Sequence, residues 1–273
     1  MLHVTPSIDL DAYLNRIQWG GDVRPSYDTL AGLLRAHMQH IPFENLDVLL
    51  GRGIRIDLDS IQNKLVRARR GGYCFEHSTL LAAVLEQLGF QPVRQLARVT
   101  VSRPRTEMAR THMFLTVPLE EGTFVVDAGF GALAPRVRVP LKEGVQATID
   151  SETHWMVRDA NRWSLRAQVG DKPPVDAWVS TLEEEGPADF EMGNHFTSTY
   201  PASPFRNQIL LRALTKDGRV SVLNRNVTIV RAGVSHKIEL ADRTALRALL
   251  ADNFGFDLPE VEQLRVPDIP EWT

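Results

Sequence analysis

Arg70-Gly71-Gly72-Tyr73-Cys74-Phe75-Glu76-His77 holds the only cysteine of the chain, at the point where a loop gives way to a helix. Downstream, Leu80, Leu81, Val84, Leu85 and Leu88 recur at the spacing of one helix face, and Gly89 supplies a stop. Cys74 therefore falls in the first helical turn, where unpaired amide N–H groups and the positive end of the macrodipole favour an anion. Gly71 and Gly72 suggest a sharp turn through positive φ just before it. A sulfur anion is stabilised in such a place, so Cys74 reads either as a nucleophile or as a small buried hydrophobe, the usual fate of a lone cysteine.

Working outward, the first ninety residues read as helices. Asp9 or Asp11 caps a segment through Leu14 and Ile17 that Gly20-Gly21 ends. Ser26 caps a second helix carrying Leu30, Leu33, Leu34, His37 and Met38, which Pro42 breaks. Asp57 or Asp59 caps a third, and the Cys74 helix is the fourth. From about Gln91 the period changes to two: Leu96, Arg98 and Thr100 alternate with Ala97, Val99 and Val101. Met113–Val117 and Phe124–Val126 flank a hairpin turn at Pro118–Gly122, and further strands follow around Val137, Val139, His154–Val157 and Trp163–Leu165. Many short strands point to a barrel or sandwich. Asp171–Pro174 reads as a loop and Glu183–Pro187 as a solvated connection. Strands near Ile209–Leu211, Val220–Leu223 and Val227–Val230 precede a helix capped by Asp242 and finished near Gly255. The expected division is a helical part over 1–90, a strand-rich part over 91–190 and a mixed part over 191–273.

The chain has 273 residues, 43% apolar and 24% charged, with a net charge of −3. That is the balance of a soluble globular protein and gives no reason to expect nucleic acid or an anionic membrane as partner. One cysteine forms no internal disulfide. Met1–Pro6 lacks a basic segment followed by an apolar run, and no apolar run approaches the roughly 20 residues that span a bilayer. The expectation is a cytoplasmic protein. No glycine-rich phosphate loop is present, and His37 and His40, three apart, have no cysteine or acidic companion at a metal-binding distance in sequence.

A nucleophilic thiol needs an imidazole, and the imidazole a group that fixes its tautomer. If the hairpin turns about Leu119 and Glu120, His112 faces Asp127 directly on one side of the sheet. A turn one residue later leaves them diagonal on that side, and an intermediate register puts them on opposite faces. Asp127 follows the apolar Phe124-Val125-Val126, where a carboxylate is costly to bury without a partner. It reads either as that partner or as the start of a turn before Gly129.

These blocks resemble a known family. Arg70–Glu76, Thr111-His112 and Val126–Gly131, with Ile41–Leu46 and Asn194–Thr199 through Phe205, are similar to the signature segments of the arylamine N-acetyltransferases. Ala128 stands where many members carry Val. The resemblance implies an α+β fold made of an N-terminal helical bundle, a central β-barrel and a C-terminal α/β lid, with a cysteine-protease-like Cys-His-Asp core. It implies Cys74 as the acetyl-carrying nucleophile, His112 as base and Asp127 as its orienter. Acetyl-CoA is the co-substrate, no metal takes part, and arylamines, hydrazines or N-hydroxyarylamines accept the acetyl group, in a monomer or homodimer. Phe130 and Phe205 are expected as aromatic walls for the amine, and Thr111, Gly129 and Gly131 as close-approach positions around the acyl group. The Cys74 N–H is a candidate oxyanion donor. Arg69 and Arg70 are read as attracting CoA phosphates, Arg70 beside the paired glycines equally as structural, Glu76 as a buried ion pair or a substrate contact, and His77 as structural. The rival readings are a papain- or transglutaminase-like thiol hydrolase on the same three residues, and a binding module with an inert Cys74.

Overall fold

The computed structural model describes residues 7–272; Met1–Pro6, read above for a leader, lies outside them. Side-chain caps set where the N-terminal helices begin. Asp9 accepts the Ala12 N–H at the head of α1 (Leu10–Arg16), Ser26 that of Thr29 at α2 (Tyr27–His40), and Asp57 that of Ser60 at α4 (Leu58–Ile61). Between them lies a short helix that the sequence did not announce, α3 (Leu46–Leu49), so the Cys74 helix is the fifth, α5 (Cys74–Gln87). α1 stops at Arg16, short of Gly20-Gly21. The apolar stripes of α2 and α5, including Leu30, Leu33, Leu34, Leu80, Leu81, Val84 and Leu85, are buried together with Ile61 and Leu65. Each such side chain contributes about 1.5–3 kcal/mol, against the entropy of ordering it.

The period-two region forms one eight-stranded antiparallel sheet: β1 (Val93–Val99), β2 (Arg110–Leu119), β3 (Gly122–Val126), β4 (Val139–Pro140), β5 (Ala147–Ile149), β6 (Glu152–Asp159), β7 (Arg162–Val169) and β8 (Val175–Ser180). Its order is β4-β3-β2-β1-β8-β7-β6-β5, and a bridge from Glu143, just past edge strand β4, to Met156 of β6, next to the other edge, curls it into a nearly closed barrel. Ala97, Phe114, Val125, Met156, Leu165 and Trp178 fill it. β8 escaped the sequence reading because Ala177–Ser180 are all buried, which hides the alternation that marks a strand with one wet face. The acidic connection is not uniformly wet: the Glu185 side chain is buried against Arg110 at 2.6 Å.

Helices α6 (Pro187–Thr199) and α7 (Pro204–Asn207) lead into a second antiparallel sheet of β9 (Leu210–Thr215), β10 (Gly218–Leu223), β11 (Asn226–Arg231) and β12 (Val234–Glu239). β12 went unread because all six of its residues are exposed, so no apolar face repeats along it. Asp242 caps α8 (Arg243–Leu249), and Gly255 closes that end at φ +77°. Helices thus flank the barrel at both ends of the chain, the mixed α+β arrangement expected. No helix among the described residues is long and apolar enough to cross a membrane.

Candidate active site

Glu76 builds the head of α5. Its carboxylate reaches back to accept the Tyr73 N–H at 3.1 Å, satisfying a donor that the helix leaves unpaired. Glu76 is itself buried, with Lys64 Nζ 2.8 Å away; Lys64 also meets Asp47 at 2.9 Å, and Arg70 meets Glu44 at 2.6 Å and Asp47 at 3.2 Å. Burial pushes the Glu76 carboxyl up, whereas for Asp47 burial is outweighed by Lys64 and Arg70, which hold its carboxyl below the usual range. This settles two open readings. Glu76 makes a structural ion pair, and Arg70, 8% exposed and occupied by carboxylates, is closed to CoA phosphates; Arg69 is exposed but does not line the cleft described below.

The glycines serve close approach rather than a left-handed turn. A Cβ on Gly71 would lie 2.2 Å from the Pro42 carbonyl oxygen and one on Gly72 2.6 Å from Glu76 Oε2, while the positive φ of this loop belongs to Arg69, at 55°. Gly72 runs beside Phe43 and bonds both neighbours, N to the Pro42 carbonyl at 3.2 Å and carbonyl to Glu44 N at 2.8 Å.

The β2–β3 hairpin takes the later of the two registers considered: Leu115 faces Val126 and Leu119 faces Gly122. Asp127, one step beyond the last pair, is therefore diagonal to His112 on the same face. His112 Nε2 donates to Asp127 Oδ2 at 2.8 Å, Trp178 Nε1 donates to the same oxygen at 3.0 Å, and Gly129 N donates to Oδ1 at 3.3 Å. With Nε2 so engaged, Nδ1 is the ring atom left for the thiol. Burial alone would lower the His112 pKa, but Asp127, by charge and hydrogen bond, and then Cys74 beside the ring raise it to about 10. Cys74 is 3% exposed, its sulfur 3.7 Å from the Thr111 carbonyl.

One cleft of about 660 Å³ gathers these groups. Seven of the eight candidate residues line it (Cys74, Thr111, His112, Gly129, Phe130, Gly131 and Phe205), and Asp127 lies behind His112. The Phe130 ring meets the His112 ring edge-on at 4.7 Å, and Phe205 meets Phe43 at 6.3 Å and Tyr73 at 5.4 Å. Gly129 has to be small, because a Cβ there would lie 2.5 Å from the Cys74 Cα. Asn45 holds the Phe205 segment through that residue's carbonyl at 2.8 Å, and Asn194 takes the Tyr73 hydroxyl. Sequence reasoning missed Phe43, Trp178, and the β9–β12 residues on the far wall, Arg212 and Lys237 among them.

His77 faces away from the thiol. Its Nε2 can only donate to the Pro42 carbonyl (3.2 Å), so Nδ1 accepts from His37 Nε2 (2.8 Å), whose Nδ1 accepts the Tyr13 hydroxyl (2.9 Å). Both rings are neutral: burial lowers the His77 pKa to about 4 and that of His37 well below its ordinary value. His37 is thus committed to this chain, and no cluster of three or more His, Cys, Asp or Glu side chains that could hold a metal occurs among the described residues.

The family whose description is N-acetyltransferase matches residues 26–263. The arylamine N-acetyltransferase of Mycolicibacterium smegmatis is 34% identical over 273 residues, covering 96% of this chain and 98% of that one. The arylamine N-acetyltransferase / N-hydroxyarylamine O-acetyltransferase of Salmonella typhimurium is 32% identical over 263 residues, 93% of this chain and 90% of that one. The solved structure of Mycobacterium marinum arylamine N-acetyltransferase in complex with CoA superposes with a TM-score of 0.87 at 32% identity, over 93% of this chain and 94% of that one. With the family match, the identity over nearly the whole length and the fold in agreement, this chain belongs to the arylamine N-acetyltransferase family and is a transferase.

Proposed function

We propose that this protein moves an acetyl group from acetyl-CoA to arylamines and hydrazines, and to the oxygen of N-hydroxyarylamines, by a ping-pong route through a thioester on Cys74. The observation that carries the reading is the chain of contacts from Asp127 through His112 to a cysteine at a helix head, open on a cleft of about 660 Å³. A cleft of that size suits a small ligand largely enclosed by apolar walls.

In the first half-reaction His112 Nδ1 already carries the proton it has taken from Cys74, as its raised pKa favours, and the sulfur attacks the acetyl carbonyl carbon. The Cys74 N–H, unpaired at the start of α5, is placed to donate to the oxyanion. The carbon–sulfur bond to CoA then breaks, and the departing thiolate takes the proton from the imidazolium. In the second half the amine nitrogen attacks the Cys74 thioester, His112 accepts the amine proton, and the sulfur leaves and is reprotonated. Thioester-to-thioester transfer is nearly level in energy, and the amide lies well below both, so the sequence runs toward acetylated amine. Asp127 holds His112 in the orientation that presents Nδ1. A cytoplasmic role on foreign amines belongs with this reading, as the family resemblance implies.

The test is intact mass after incubation with acetyl-CoA and no amine. An adduct of one acetyl group on Cys74 that persists in water, disappears on adding aniline and is absent from Cys74→Ser supports the proposal. Amide hydrolysis without a stable adduct would instead favour a thiol hydrolase.

A further inference from the structure

Arg212 lies on β9, 4% exposed, and touches two walls of the cleft at once. Its backbone pairs with Phe43 in both directions, N to the Phe43 carbonyl at 2.9 Å and carbonyl to Phe43 N at 2.8 Å. Its side chain donates from Nη1 to the carbonyl of Gly131. Its Nε and Nη2 find no hydrogen-bond acceptor, and the nearest counter-charge, Glu152 Oε1, stands 3.6 Å off. That carboxylate is already engaged by Arg219 at 2.9 Å and Arg136 at 3.0 Å. Burial, helped by the smaller effects of the like charges Arg219 and Arg136, outweighs Glu152 and lowers the Arg212 pKa to about 10, so the group remains a cation at neutral pH.

A buried guanidinium with a single hydrogen bond is a poor way to stabilise a core; an apolar side chain of similar volume would serve packing as well or better. What the cation does reach is the loop that follows Asp127. Gly131, at φ +71°, is wedged between the Arg212 guanidinium and the Phe43 ring, where a Cβ would sit 3.2 Å from that ring. The same loop is tied again at Leu133, whose carbonyl accepts His154 Nε2 at 3.1 Å. Phe130, next to Gly131, bears on the His112 ring.

We infer that Arg212 is a positioning residue for the amine acceptor: through Gly131 and Phe43 it fixes the aromatic wall, Phe130 against His112, that receives the amine. The inference rests on the acetyl-transfer reading for the identity of the ligand. Asp127 is held independently by Trp178 and by its place at the end of β3, so the effect falls on the acceptor more than on Cys74 acylation.

A double-mutant cycle on the full chain tests it, with Arg212→Met, Phe130→Leu and the pair, using aniline as acceptor. Arg212→Met is expected to raise the aniline KM about tenfold, with a much smaller change in the rate at which acetyl-CoA acetylates Cys74. The pair is expected to do no worse than the stronger single variant, because both act on one wall. Multiplicative effects, or equal losses in the two half-reactions, would overturn the inference and leave Arg212 a general structural residue. Arg212→Lys, which keeps a cation beside Glu152, carries the same cycle if the methionine variant does not fold. Aniline affinity measured by calorimetry reports the same non-additivity without turnover, so failure of the wild-type protein to acetylate Cys74 would count against the proposed reaction and not against this role.

Discussion

Asp127 Oδ2 stands 2.8 Å from His112 Nε2 across the β2–β3 hairpin, diagonal rather than directly opposed. Oδ2 takes two donors, His112 and Trp178, and Oδ1 a third, Gly129 N. An amide offers only one oxygen. In Asp127→Asn, serving His112 and Trp178 turns an N–H toward the Gly129 N–H, and the other orientation abandons both rings. Turnover is expected to fall by about 10³-fold or more, with the circular dichroism unchanged. The His112 titration should also move from about 10 back toward its ordinary value, observable in ring proton shifts. Normal turnover in this variant would remove Asp127 from the scheme.

Trp178→Phe keeps the ring stacked on Phe114, now at 4.2 Å between centroids, but withdraws one donor from a buried carboxylate. A hydrogen bond to a charged group contributes about 1.5–3 kcal/mol. Turnover about tenfold lower and a measurable loss in chemical denaturation are expected. A variant with unchanged kcat would show that His112 and Gly129 suffice to hold Asp127.

Acid should weaken the protein through His77 and His37. A histidine whose pKa is lower in the folded than in the unfolded chain binds its proton later on acidification. Its stabilising share is complete above about pH 6.5 and is lost as pH falls toward about 4. For His77 alone the shift corresponds to roughly 3 kcal/mol. Urea midpoints measured from pH 7 to pH 4 should drop steeply in the wild-type protein and less so in His77→Gln. Parallel slopes would mean that other groups govern acid sensitivity.

Gly129→Ala tests the closeness of loop and helix. The added methyl would lie 2.5 Å from the Cys74 Cα, and neither backbone can yield without shifting the sulfur from the imidazole. Loss of Cys74 acetylation by more than about 10²-fold is expected from a displacement of this kind. Acetylation at the wild-type rate would show that the loop retreats freely.

The parts of this site that the sequence disclosed are those fixed by local rules. The helix head at Cys74 follows from apolar spacing, and two of the three hairpin registers considered put His112 and Asp127 on one face. Trp178 stayed hidden because it meets Asp127 across the barrel, from a strand whose unbroken burial looks unlike a strand. Arg70 showed the opposite limit: its charge allowed a CoA-phosphate site and its paired glycines a structural role, and only the long-range approach of Glu44 and Asp47 decides for the second. Arg212 carries no local signature, since its meaning lies wholly in Phe43 and Gly131, far away along the chain.

The pairing of Arg212 with both Phe43 and Gly131 also bears on biosynthesis. A ribosome delivers the sulfur early, while the strand that braces its pocket emerges only after the whole barrel, with the β10–β12 part of the far wall later still. Until residue 212 has left the exit tunnel, neither Phe43 nor Gly131 has its brace, so full reactivity toward amines comes only after the barrel is complete and β9 has joined it. Fragments ending before β9 should therefore be inert toward acceptors even where their helices have formed.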